Sequence, residues 1–243
     1  MSIRLLTATV ALFATLFVQA QTADEIATKH IEAIGGKDAW NKVNSVKIEG
    51  ALNVQGTDVN ITVVQLHGKG MRQDIAVQGM AGYQIVTPSE GWTFMPFQGQ
   101  TAVTPMSQDD IRQAQNELDA RGSLHEYKEK GHAIELAGKE NIANATCYKI
   151  LVTLNSGKKE TMYIDSSNYY VIRTITTQKA NEQEQEIETN YSGFEKMPEG
   201  IVLPKTIVVP YGTLTISKIE VNKPVDEAMF KPTYDVEKSN EPR

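Results

Sequence analysis

From Ser45 onward the apolar residues of this chain recur at every second position, and that period governs most of its length. Val46, Ile48, Leu52 and Val54 alternate with Lys47, Glu49 and Asn53, the pattern of a half-buried strand. Gln55-Gly56-Thr57-Asp58 reads as a turn, Val59–His67 as a second strand, and Gly68-Lys69-Gly70 as the turn into a third at Met71–Val77. Tyr83–Thr87, Gly91–Phe97 and Gln100–Thr104 continue the meander between Gly- and Pro-containing turns. After an interruption the same period returns at Ala133–Leu136, Cys147–Leu154, Glu160–Ile164 and Tyr170–Thr177. It closes with Ile187–Phe194, Ile201–Val209 and Thr213–Val221. Lys179–Glu188 is strongly polar and reads as a solvated strand edge or loop.

Two segments carry helical spacing instead. Thr22-Ala23-Asp24-Glu25 is a capping box, with an apolar stripe of Ile26, Ala27, His30, Ile31 and Ile34 after it that stops at Gly35-Gly36. A short turn with Trp40 and Val43 comes after Asp38. Ser107 caps a second helix, Gln108–Ala120, whose apolar positions Ile111, Ala114 and Leu118 form a narrow stripe. The expected class is therefore mainly β with some α. It is a single strongly curved antiparallel sheet of ten to twelve strands, an incomplete barrel, with helices covering its concave side. No linker divides residues 21–243, so one domain is expected.

The segment before the capping box changes the expected compartment. Met1–Arg4 carries one positive charge, Leu5–Val18 is apolar, and Val18-Gln19-Ala20 is a small-x-small cleavage site, together a secretory signal peptide cut after Ala20. Gln21 stands next in place of a cysteine, so a soluble periplasmic protein without a lipid anchor is expected. Loss of Arg4 takes the net charge from −6 to −7, which argues against nucleic acid as a partner. Cys147 is the one cysteine, allows no internal disulfide and lies in a strand pattern as a core residue.

Catalytic and metal signals are sparse. His125-Glu126 begins like a zinc-protease motif, but Glu129 stands where the second histidine belongs. No two histidines have helical i, i+4 spacing, and neither a Gly-x-Ser-x-Gly elbow nor a phosphate loop is present. The chain reads as a non-enzyme with no cofactor and no metal. Asn60, Asn144 and Asn190 fit the glycosylation sequon by coincidence of composition. What stands out is apolar and aromatic material concentrated in the early strands. Met71, Ile75, Val77 and Met80 precede Tyr83, Ile85, Trp92, Phe94, Met95 and Phe97. They read either as core beneath the helices or as the lining of a cavity for variable apolar ligands.

The stretch Leu66–Met106 resembles the outer-membrane lipoprotein carrier and lipoprotein-sorting family (LolA-like). Gly70-Met71-Arg72, Tyr83-Gln84-Ile85-Val86, Glu90-Gly91-Trp92-Thr93-Phe94, Pro96-Phe97 and Thr101-Ala102-Val103-Thr104 carry the likeness. Met162-Tyr163-Ile164-Asp165, Tyr170-Val171-Ile172-Arg173, Tyr191-Ser192-Gly193-Phe194 and Gly200–Lys205 extend it, as do Val221–Pro224 and Phe230-Lys231-Pro232. The resemblance implies an incomplete barrel whose apolar cavity receives lipoprotein or lipid acyl chains and delivers them toward the outer membrane. Arg72 matches the arginine that helps hold the family's helical lid closed. It further implies a monomer that meets inner- and outer-membrane transfer proteins. A non-enzymatic envelope-sensing or protein-binding module of the same fold is the alternative.

Overall fold

The computed structural model describes residues 21–180 and 183–233; the expected export segment 1–20 and the polar tail from Glu237 lie outside them. Alternation in the sequence becomes a ladder of antiparallel strands. The first six are β1 (Ser45–Val54), β2 (Thr57–Leu66), β3 (Gly70–Val77), β4 (Met80–Val86), β5 (Gly91–Phe94) and β6 (Thr104–Pro105). The second run is β7 (Ala133–Ile142), β8 (Ala145–Thr153), β9 (Lys159–Asp165), β10 (Val171–Ala180) and β11 (Gln183–Ser192). It ends in β12 (Glu195–Lys196), β13 (Val202–Leu203), β14 (Thr206–Val209) and β15 (Gly212–Val221). Thirteen of these form one sheet, ordered β6-β5-β4-β3-β2-β1-β15-β14-β11-β10-β9-β8-β7, while β12 and β13 pair separately. The two runs are joined where β1 meets β15.

Local chemistry explains where the observed elements depart from the expected ones. The strand expected over Gly91–Phe97 stops at Phe94, because Pro96 opens a 3-10 turn through Gln98. Ile201–Val209 splits into β13 and β14 around Pro204. β7 runs to Ile142, well beyond the apolar stretch, since it is the outermost strand and its polar half is exposed. The polar stretch expected as edge or loop belongs to the β10–β11 hairpin.

Helices α1 (Ala23–Ala33), α2 (Lys37–Asn41) and α3 (Gln108–Ala114) lie on one face of the sheet. The capping box at Thr22 and Glu25 is formed, and Ile26 and Ala27 are buried against Tyr148, Ile150 and Ile164 of β8 and β9. His30 is a packed residue there, with its Nδ1 2.8 Å from the Tyr169 carbonyl oxygen. Trp40 packs on Val46 and Val221, and its Nε1–H donates to the Ile34 carbonyl at 3.0 Å. α3 tightens into a 3-10 turn, Gln115–Leu118, and places Ala114 and Leu118 on Met71 and Val86.

The position of α3 reveals the curvature. Its 3-10 extension touches β3 and β4 on one side and shares a cavity with Met162 of β9 and Thr174 of β10 on the other. β4 and β9 are eight strands apart in the sheet order, about 38 Å in a flat sheet at ~4.8 Å per strand. One helix, about 10 Å across, bridges that distance because the sheet wraps around it. The sheet does not close: β6 and β7 remain its edges. The helices therefore occupy the concave side of an incomplete barrel. Among the described residues no helix is long and apolar enough to cross a membrane.

Candidate functional site

Strand register assigns each side chain to the inner or the outer face. Met71 packs under α3, so the residues in phase with it point inward. On β3 these are Gln73, Ile75 and Val77, and on β4 Met80, Gly82, Gln84 and Val86. The ladder carries this phase through Val59 and Ile61 to Leu52, and on to Leu214 and Ile207. Leu52 and Ile61 are buried, whereas Ile75, Val77, Ile207 and Leu214 remain half-buried. None of these six belongs to the three clusters packed beneath the helices. They form an apolar trough along the middle strands, with Met80 exposed at its rim. Phe97 belongs to the same surface, because its ring lies over Gly82, where a Cβ would meet Cε1 at 2.8 Å.

Next to the trough lies a cavity of about 650 Å³ between the 3-10 extension of α3, the segment 119–132 and strands β9–β11. Tyr191 stands at the junction, paired with Ile207 in register and hydrogen-bonded to Thr174 through its hydroxyl at 3.1 Å. Leu118, Leu154 and Met162 give the cavity apolar walls, but much of its lining is polar. Asp119 accepts from Lys130 Nζ at 2.5 Å, and His67 Nδ1 approaches its other oxygen at 3.5 Å. Glu160 accepts from Ser123 Oγ at 3.1 Å and forms no ion pair among the described residues. Burial pushes the Glu160 carboxyl above the usual carboxylate range, and it holds the His67 and His132 imidazoles below theirs. Nδ1 of His67 and Nδ2 of Asn116 are buried at this wall without a hydrogen-bond partner among the described residues. Among the described residues no three His, Cys, Asp or Glu side chains converge as a metal site.

Known proteins match this chain in architecture and not in sequence. No family model matches it, and no curated protein matches it in sequence. A solved structure of a LolA superfamily protein from Nitrosomonas europaea superposes with a TM-score of 0.56 at 14% identity, covering 88% of this chain and 99% of that one. This chain has a LolA-like fold. A DUF1329 family protein from Desulfovibrio piger also aligns, with a TM-score of 0.53 and 14% identity over 86% of this chain and 97% of that one.

Within the LolA-like barrel the residues singled out from sequence divide between two surfaces. Met71, Ile75, Val77, Met80 and Phe97 face inward, Met71 as core beneath α3 and the others along the trough. Met95 precedes the 3-10 turn and donates its backbone N–H to Gln100 Oε1. Tyr83, Ile85, Trp92 and Phe94 face outward and pack with Phe230 of a C-terminal 3-10 turn, Glu227–Phe230. Arg72 is on this outer face too. Its Nε donates to Asp74 at 2.8 Å, one terminal nitrogen donates to the Met229 carbonyl at 3.1 Å, and its guanidinium lies 4.7 Å from the Tyr83 ring centre. None of α1–α3 is among those partners. In this structure the contacts of Arg72 join β3 and β4 to the C-terminal segment.

The residues that sequence reasoning passed over are the polar ones of the inner face. Glu160 shares its phase with Met162 and Ile164, and Thr174 and Thr176 are their neighbours across β10. A polar residue at an inward position of an otherwise apolar strand was the available signal.

Proposed function

We propose that this LolA-like protein is an exported, non-enzymatic carrier that takes up acyl chains of lipids or lipoproteins in its trough. It would move them through the periplasm toward the outer membrane and exchange them with membrane-bound transfer proteins. The observation that carries this reading is the inner apolar surface of Leu52, Ile61, Ile75, Val77, Ile207 and Leu214, which lies outside the clusters packed beneath α1–α3. Left to water, the accessible part of that surface, on Ile75, Val77, Ile207 and Leu214, is unfavourable by about 25 cal/mol per Å². A bound chain removes that cost and, at ~0.8 kcal/mol per buried methylene, its own. A helix-capped half-barrel also provides for release, because the cover over the cavity is a 3-10 turn at the end of one short helix together with the segment 119–132. The test is to purify the protein from a bacterial periplasm, extract it for mass spectrometry and titrate the stripped protein with a fluorescent acyl probe. Co-purified acyl lipid and saturable probe binding are expected. A lipid-free protein that ignores the probe would leave a protein-binding module as the better reading.

A further inference from the structure

The cavity next to the trough is built differently from a plain core. Barrel interiors are filled by apolar side chains or hold a ligand, yet the inward phase of β9–β11 carries Glu160, Thr174, Thr176 and Tyr191 beside Met162. The charges of the cavity are unequally matched. Asp119 has Lys130 at 2.5 Å, whereas Glu160 has one hydroxyl partner, Ser123, and no cation within 4.0 Å among the described residues. Lys158 acts on it only through space at longer range. A carboxyl group placed so that burial disfavours its charge is costly unless something completes its hydrogen bonding. Nδ2 of Asn116 is a donor with no hydrogen-bond partner among the described residues at this wall, and it suits a hydroxyl or carbonyl oxygen of the same bound group.

We propose that this cavity is a headgroup site, in which Glu160 accepts a hydrogen bond from an ammonium or hydroxyl group of a lipid whose chain lies in the trough. The assignment rests on the carrier reading and adds the class of lipid. Tyr191 marks the point where head passes into chain, since its hydroxyl is bonded to Thr174 in the cavity and its strand partner is Ile207 in the trough. A volume of about 650 Å³ leaves room for a glycerol or aminoalkyl head. An anionic head is disfavoured, because Lys130 is already committed to Asp119 and to the Gly122 carbonyl and Glu160 would face a like charge.

The experiment displaces a fluorescent acyl probe from the full protein at neutral pH with palmitylamine, monopalmitoylglycerol and palmitate, which share one chain and differ in the head. The amine and the monoglyceride are expected to displace the probe at about ten-fold lower concentration than palmitate, the scale of one charge-assisted hydrogen bond. Glu160→Gln, nearly isosteric and uncharged, should shrink that gap to about three-fold or less. Glu160→Asp, which keeps the charge, should retain the preference. Equal displacement by all three amphiphiles, or a preference unchanged in Glu160→Gln, overturns the headgroup assignment and leaves the carrier reading standing. A probe that none of the three displaces overturns both.

Discussion

Replacing Arg72 by leucine separates the two faces of this barrel. The guanidinium donates to the Met229 carbonyl and to Asp74 and covers Tyr83, with its side chain 14% exposed and that of Asp74 41% exposed. A charged donor on a carbonyl contributes about 1.5 kcal/mol. A half-exposed ion pair adds about 0.5 kcal/mol, and a partly desolvated cation–π contact about 0.5–1 kcal/mol. Leucine recovers part of this through apolar burial against Tyr83, so the net loss should be about 2 kcal/mol. For a chain of this size, with a urea dependence of about 2–3 kcal/mol per molar, the unfolding midpoint should fall by roughly 0.7–1 M. Limited proteolysis should also release the segment carrying Phe230 sooner, since that segment is what Arg72 fastens. Affinity for the acyl probe should change by less than about two-fold, because every partner of Arg72 lies outside the trough. Weakened probe binding with an unaltered urea midpoint would refute the reasoning and return Arg72 to the helical cover.

Three further outcomes rest on the same geometry. Leu118→Ala, at a 4% exposed site between α3, Met71 and Val86, should lower stability by about 3 kcal/mol in urea unfolding; a change under about 1 kcal/mol would mean the cover is not packed there. Gly35 has φ +125° and no space, since a Cβ would meet the Gly200 carbonyl oxygen at 2.6 Å, whereas Gly36 at φ +85° is open. Gly35→Ala should therefore cost about 2–4 kcal/mol and Gly36→Ala about 1 kcal/mol, and equal urea midpoints would contradict the docking of α1 on the β12–β13 turn. Burial lowers the pKa of His30, His67, His125 and His132, so the unfolded chain binds more protons than the native one below the ordinary imidazole range. Stability should be full above about pH 6.5 and decline as pH falls through that window; a urea midpoint that rises on acidification to about pH 5.5 would be inconsistent with imidazoles held neutral by burial, complete at His30 and His125 and partial at His67 and His132.

Much of the architecture was legible because it depends on period alone. The alternation through Val46–Val54 and Thr213–Val221 marks strands whatever their partners, and a dozen of them with short turns have few arrangements other than one long curling sheet. What the period could not give is which phase faces in. Arg72, Tyr83 and Phe94 look as apolar or aromatic in company as Met71 and Ile75 do, and only the contact of Met71 with Leu118 fixes the direction. The outer cluster was hidden for a second reason. Phe230 is distant in sequence and covers Tyr83 and Ile85 on the side where a sheet would ordinarily meet water. The polar cavity was missed because Glu160, although in phase with Met162 and Ile164 on its own strand, lies near the strand end and meets Thr174 and Thr176 only through the β9–β10 register.

The central claim is that acyl chains bind in the inner trough, and a photoactivatable fatty acid tests it most directly. The stripped protein is irradiated with the bound reagent, digested, and the labelled peptides are mapped by mass spectrometry. Labelling should concentrate on inward positions of β1–β3, β14 and β15, at Leu52, Ile61, Ile75, Val77, Ile207 and Leu214, and should fall when unlabelled acyl lipid competes. Labelling confined to the outer face around Tyr83, Trp92 and Phe94, or insensitive to competition, would contradict a carrier that holds its cargo inside the half-barrel.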